Sequence, residues 1–226
     1  MTTLAQLADR AQAAVSDGAA ATWSQDQMEA WAVEAIRDYS NYFPRRLQAT
    51  ITTTLDERTY DLPAGLLAVA SVEYPAGEDP PQYVARHSYT DPAFWQADGH
   101  YDLVRSRDAT GTAELTISTK PAAGETIAVH YLAIHDVTVE SADTITVPAA
   151  HEPILIEFII WRAWLERLGA EQQSPTSNSS LLLSQYAANA DRARRNYVQA
   201  LGRARVQAAG ESRSARWRLD KWDRWY

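Results

Sequence analysis

The sequence has no cysteine. That excludes a disulfide framework and any cysteine-ligated zinc or iron–sulfur site. It is also poor in glycine, with nine among 226 residues. Those nine form no phosphate-cradling loop, no dinucleotide fingerprint and no G-x-S-x-G nucleophile elbow. The five histidines, His87, His100, His130, His135 and His151, show no H-E-x-x-H pair or other close metal-ligand spacing. A long hydrophobic run is missing too. The most apolar stretch, residues 154–165, is too short for a bilayer and is broken by Glu157 and Arg162. Residues 1–10 have helical spacing without an apolar core, so no secretory signal is expected. These absences lead to the expectation of a chain with no catalysis, no cofactor, no metal and no membrane contact, made in the cytoplasm.

What is present fits a globular protein: 46% hydrophobic and 22% charged residues, in a length that allows one full core with a sizeable insertion. The net charge of −8 is unevenly placed. From Asp191 to the end there are ten Lys/Arg against four Asp/Glu, a net +6, while the other 190 residues hold eleven against twenty-five, a net −14. An acidic body with a basic end predicts that this end meets an acidic partner.

The hydrophobic period changes twice along the chain. Leu4, Leu7, Ala8, Ala11 and Val15 share one helical face, which predicts a helix over residues 3–15. Ser24 and Gln27 form a capping box for a second helix, with Trp23 and Met28 as its hydrophobic staple. Pro44 closes that helix. From residue 49 the pattern alternates. Strands are predicted over residues 49–55, 67–74, 113–119, 126–134 and 144–147, with a hairpin turn at Pro121–Gly124. They make a small antiparallel unit of about five strands. Residues 75–104, punctuated by Pro80-Pro81, Asp91-Pro92 and Asp98-Gly99, read as a long loop. Helical spacing then returns: residues 151–168 are apolar almost all round, with Gly169 as a stop, and a long helix follows from about Leu181 to Ala209. The fold class is therefore α+β. Residues 1–48 and 149–209 form a helical bundle, residues 49–148 an inserted β-unit, and residues 210–226 an extended tail.

Two groups of residues invite a chemical reading. Glu152 and Glu157 border the apolar helix, and paired carboxylates are what a glycan hydrolase needs. An ion pair with an arginine of another helix or subunit is the plainer role for them. The tail combines Arg216, Trp217, Arg218, Leu219, Trp222, Arg224, Trp225 and Tyr226. Aromatics interleaved with arginine are the residue types of interface anchors. The same mix suits stacking on single-stranded nucleic acid or a membrane interface, although Asp220 and Asp223 would repel phosphates and anionic lipid. Folding back on its own subunit is a further role open to it.

Four stretches in this order resemble the tailed-phage head–tail connector (adaptor, or head-completion) proteins. They are the helix from Trp23 to Tyr39; Tyr60-Asp61-Leu62-Pro63 followed by Val72-Glu73-Tyr74-Pro75; the turn Pro121-Ala122-Ala123-Gly124-Glu125; and the step Thr146-Val147-Pro148 into the apolar helix. The resemblance implies a structural virion protein at the head–tail interface. It implies a dodecameric ring that binds the portal protein through its C-terminal segment, extends the DNA channel and presents a platform to tail or neck proteins. Double-stranded DNA would pass without specific binding, and an acidic lumen would let it slide. A tail-side neck protein and a virion-associated glycan hydrolase are the alternatives.

Overall fold

A computed structural model describes residues 2–15, 22–105, 113–136, 144–175 and 179–222, and of residues 105 and 211–222 the backbone alone. The chain forms two compact units. One, built from both ends of the chain, comprises Met1–Tyr39 and His135–Tyr226; the other is the continuous stretch Ser40–Ile134.

The first unit is helical. Helix α1 (Leu4–Ala14) starts at a capping box in which Thr3 and Gln6 satisfy each other's backbone N–H, a signal unread in the sequence. Helix α2 (Gln25–Tyr42) starts at the expected box. The Gln27 N–H donates to the Ser24 hydroxyl at 3.3 Å, and the Ser24 N–H donates to Gln27 Oε1 at 3.0 Å. Both staple residues, Trp23 and Met28, are buried. After a 3-10 turn at Ala149–His151 comes helix α4 (Glu152–Gln173), with Pro153 in its first turn where no N–H is needed. It runs past Gly169, the expected stop. One helical glycine costs only about 1 kcal/mol, and good helix formers follow it. The predicted strand at residues 144–147 is a single bridge, Thr3 to Thr144.

Helix α5 (Ser179–Trp222) is the longest element, with 44 residues. The extended tail expected from residue 210 is helical through Trp222. Residues 206–222 hold three Ala and three Arg, good helix formers, and Gly210 alone does not break such a run. The last four residues lie outside the described ones.

The second unit is a curled seven-stranded sheet in the order β1-β7-β3-β4-β5-β6-β2. Its strands are β1 (Arg45–Thr52), β2 (Thr59–Asp61), β3 (Leu66–Glu73), β4 (Tyr83–Arg86), β5 (His100–Arg105), β6 (Ala113–Ile117) and β7 (Thr126–Ala133). The edge strands β1 and β2 stand at opposite ends of this order, yet only residues 53–58 connect them, so the sheet must curl. Tyr60, Val72, Leu115, Ile117, Ile127 and Val129 fill its interior. Two sequence expectations are corrected here. Residues 75–104 are no loop: they hold β4, β5 and the short helix α3 (Pro92–Gln96). Nor is the sheet wholly antiparallel, because β4 and β5 run parallel. Parallel neighbours need a crossover, and α3 with its flanking turns supplies it.

Gly65, in the turn before β3, has φ +76°, and a Cβ there would meet Ile134 Cγ1 at 3.3 Å. Its carbonyl also accepts the Ile134 N–H at 3.1 Å. Gly65→Ala is therefore expected to cost about 1–2 kcal/mol. A urea titration followed by a probe in the sheet unit measures this, and an unchanged midpoint would refute it.

Candidate interaction surfaces

The α4–α5 hairpin dominates the helical unit. The buried stripe of α5 is Ala190, Ala193, Tyr197, Leu201 and Ala204, at steps of three and four. Its alanines let the backbones approach, and Tyr197 supplies the bulk. The Tyr197 ring meets Phe158 edge-on at 5.3 Å and stacks on Trp161 at 6.4 Å. Its hydroxyl donates to the Asp38 carboxylate of α2. Further along, Trp164 stacks on Tyr186 at 5.8 Å and takes Trp23 edge-on at 5.7 Å. These pairs make the hairpin antiparallel, with residue 164 opposite 186 and residue 158 opposite 197.

The two helices differ twofold in length. At a rise of 1.5 Å per residue, the 22 residues of α4 span about 33 Å and the 44 of α5 about 66 Å. Among the described side chains, the last buried one is Ala204. Residues 205–210 are exposed on every side of the helix. Of the expected anchors, Arg216, Trp217, Arg218, Leu219 and Trp222 all lie in the final two turns of α5, on the part that overhangs. Arg224, Trp225 and Tyr226 lie outside the described residues.

The structure does not bring the two candidate carboxylates together. Glu152 is buried and pairs with the guanidinium of Arg10 on α1. Glu157, half-buried, accepts a hydrogen bond from the Asn196 amide of α5 at 3.3 Å. They serve different helix contacts. Burial by itself would push the Glu152 carboxyl up, but hydrogen bonds from Thr2 and Arg10, with the charge of Arg10, hold it below the usual carboxylate range. A depressed carboxyl stabilises the fold above its unfolded pKa of about 4.5, and that stabilisation is lost as pH falls through the folded value. Glu152→Gln is expected to lower stability by about 1–3 kcal/mol at pH 7. The difference from the parent should shrink below about pH 4, read by denaturant titrations across pH. A penalty constant from pH 7 to pH 3 would refute the ion pair.

Two of the histidines sit in structural contacts of the helical unit. Tyr39, its hydroxyl pushed up to about 12 by burial, is hydrogen-bonded to His151 Nδ1 and lies 5.3 Å from the His135 ring. His135 is buried, with Nδ1 at 3.1 Å from the Thr146 hydroxyl. Among the described residues no group of three His, Asp or Glu is placed to hold a metal ion. No helix among them is long and apolar enough to cross a membrane.

Sequence reasoning missed one surface of the sheet unit. Asp91 caps α3 through the Ala93 N–H at 2.9 Å, and buried Phe94 anchors that helix. The neighbouring Trp95 is 45% exposed, donates its indole N–H to the Tyr89 carbonyl at 3.0 Å and lies under the Arg58 guanidinium at 5.2 Å. The aromatic residues there were visible in the sequence, but nothing in their spacing reported an ordered crossover.

The helical unit carries one helix, α5, that is twice as long as its hairpin partner α4. A family model described as SU10 adaptor protein matches residues 2–219, nearly the whole chain. The chain belongs to this family, and it is thereby a phage structural adaptor, as the resemblance to head–tail connectors implied. Membership implies a non-enzymatic role among other virion proteins and a place in the virion. None of the curated proteins matches the chain.

Proposed function

We propose that the chain forms a ring between portal and tail, extends the DNA channel, and docks to the portal through the overhanging end of α5. The observation that carries this reading is the overhang itself. Eighteen helical residues, 205–222, stand about 27 Å beyond the last buried position, Ala204. A helix of that length is marginal in water on its own and gains most of its stability from tertiary packing. A groove on a partner is the natural source of that packing. The end is also basic and aromatic, which suits an anchor on an acidic surface. A twelvefold ring, and a DNA path kept slippery by acidic groups, belong to the same reading.

Binding of the full-length chain to purified portal rings, read by native mass spectrometry and electron microscopy, tests it. The expected product is a portal ring capped by a ring of this chain. Failure to bind portal, with binding to isolated tails instead, would replace portal docking by a neck role on the tail side.

A further inference from the structure

The face of α5 directly opposite its buried stripe has a character of its own. Arg192, Arg195, Gln199, Arg203 and Val206 follow one another at steps of three, four, four and three, the spacing of the buried stripe shifted by two residues. All five are exposed, Val206 at 74%. Among the described residues, Asp191 pairs with Arg195 at 2.6 Å, Arg192 donates to Asn189 at 3.0 Å, and Arg192 lines a cleft that also holds Glu157 of α4. Arg194 flanks the stripe, its guanidinium 5.9 Å from the Trp161 ring.

The charge of the chain divides along the same line. Residues 179–226 hold ten Lys/Arg against four Asp/Glu. Residues 1–39 with 135–178 hold four against thirteen, and residues 40–134 seven against twelve. The segment that forms α5 and the end of the chain is thus the one net-positive part of the molecule. The rest of a second copy carries a net negative charge, so it offers carboxylates to this face. Arginine is the residue suited to such a contact, because its planar fork grips carboxylates at two points and loses little freedom in doing so.

From this we infer that the outer face of α5 is a subunit–subunit surface: Arg192, Arg195 and Arg203 of one copy receive the acidic surface of the next. This rests on the ring reading above and adds the residues that close the ring. The contact joins two different patches, so it is heterologous, and repetition of a heterologous contact generates a ring when the rotation closes.

The test compares the full-length chain with Arg192→Glu/Arg195→Glu/Arg203→Glu and with the matching triple Lys variant, by native mass spectrometry and light scattering at low and high salt. Circular dichroism checks the helix, which surface changes of this kind leave folded. The parent should form a closed oligomer that weakens as salt rises. The Glu variant should lose self-association by at least tenfold, and the Lys variant should keep most of it. A further outcome is specific to the heterologous contact. The Glu variant retains its acidic surface, so added in small amounts to the parent it should cap growing arcs and suppress closed rings. A Glu variant that closes rings like the parent overturns the α5 surface and leaves the ring reading intact, even if that variant has lost DNA binding. A parent that stays monomeric at every concentration, and arrives at the portal as single copies, overturns both.

Discussion

A chain ending at Gly210 is expected to keep its fold and lose its hold on portal rings. The first half follows from packing. Every residue from 205 to 210 is exposed, and the buried stripe of the described residues ends at Ala204, so a cut at Gly210 falls outside that stripe. The melting temperature should move by no more than about 2 °C, the scale of a few tenths of a kcal/mol in a domain of this size. The second half follows from what is removed. Trp217, Trp222, Trp225 and Tyr226, interleaved with Arg216, Arg218 and Arg224, are the residue types that dominate interfaces, where a single anchor is worth about 2 kcal/mol or more. Losing two such anchors lowers affinity at least about a hundredfold, since each 1.4 kcal/mol is tenfold. Titration of both chains against immobilised portal rings reads the difference. Equal affinity would move the docking surface off the end of α5 altogether.

The largest single-residue effect is expected at Tyr197. It fills the centre of the α4–α5 contact, and its hydroxyl satisfies a carboxylate on α2. Tyr197→Ala removes the ring and leaves a cavity among Phe158, Trp161 and Leu201, at a cost of about 3–5 kcal/mol. Tyr197→Phe keeps the ring and strips Asp38 of its donor, at a cost of about 1–3 kcal/mol. Intrinsic tryptophan fluorescence during guanidinium unfolding is a suitable probe, because Trp23, Trp31, Trp161 and Trp164 all sit in the helical unit. The two substitutions divide the site into packing and hydrogen bonding. An Ala variant within 1 kcal/mol of the parent would refute the central role of this ring.

The parts of the fold readable in the sequence are those whose signal is local. Ser24 and Gln27 are three residues apart, so the capping box of α2 is written in the chain. The apolar alternation that marks β6 and β7 as strands is likewise local, although Thr116 and Ala128, on the other face, are buried as well. What escaped depends on distant partners. The strand β2 has three residues and exists because it lies along β6, with Tyr60 opposite Leu115. The strands β4 and β5 are held by each other and by β3 and β6, and they are short runs between segments rich in turn residues, such as Pro80-Pro81 and Asp98-Gly99. The overhang of α5 was misread for another reason. Gly210 was weighed as a terminator, while the favourable propensity of the sixteen residues after it was not. The acid–base reading of Glu152 also needed a distant residue, since Arg10 lies 142 positions away in the chain.

The helical unit is discontinuous, and this sets the order in which the chain can mature on the ribosome. Helices α1 and α2 emerge first, with Leu4, Leu7, Met28, Trp31 and Ile36 on their apolar faces. Helix α1 packs on α4, and α2 is tied to α4 and α5 through Glu34–Arg162 and Asp38–Tyr197; these partners follow only after the whole of Ser40–Ile134. At roughly 5–20 residues per second, the early helices wait on the order of 6–20 s for their partners. In that interval the contiguous sheet unit can complete itself, and it is the helices at the amino end that need protection from one another's nascent copies.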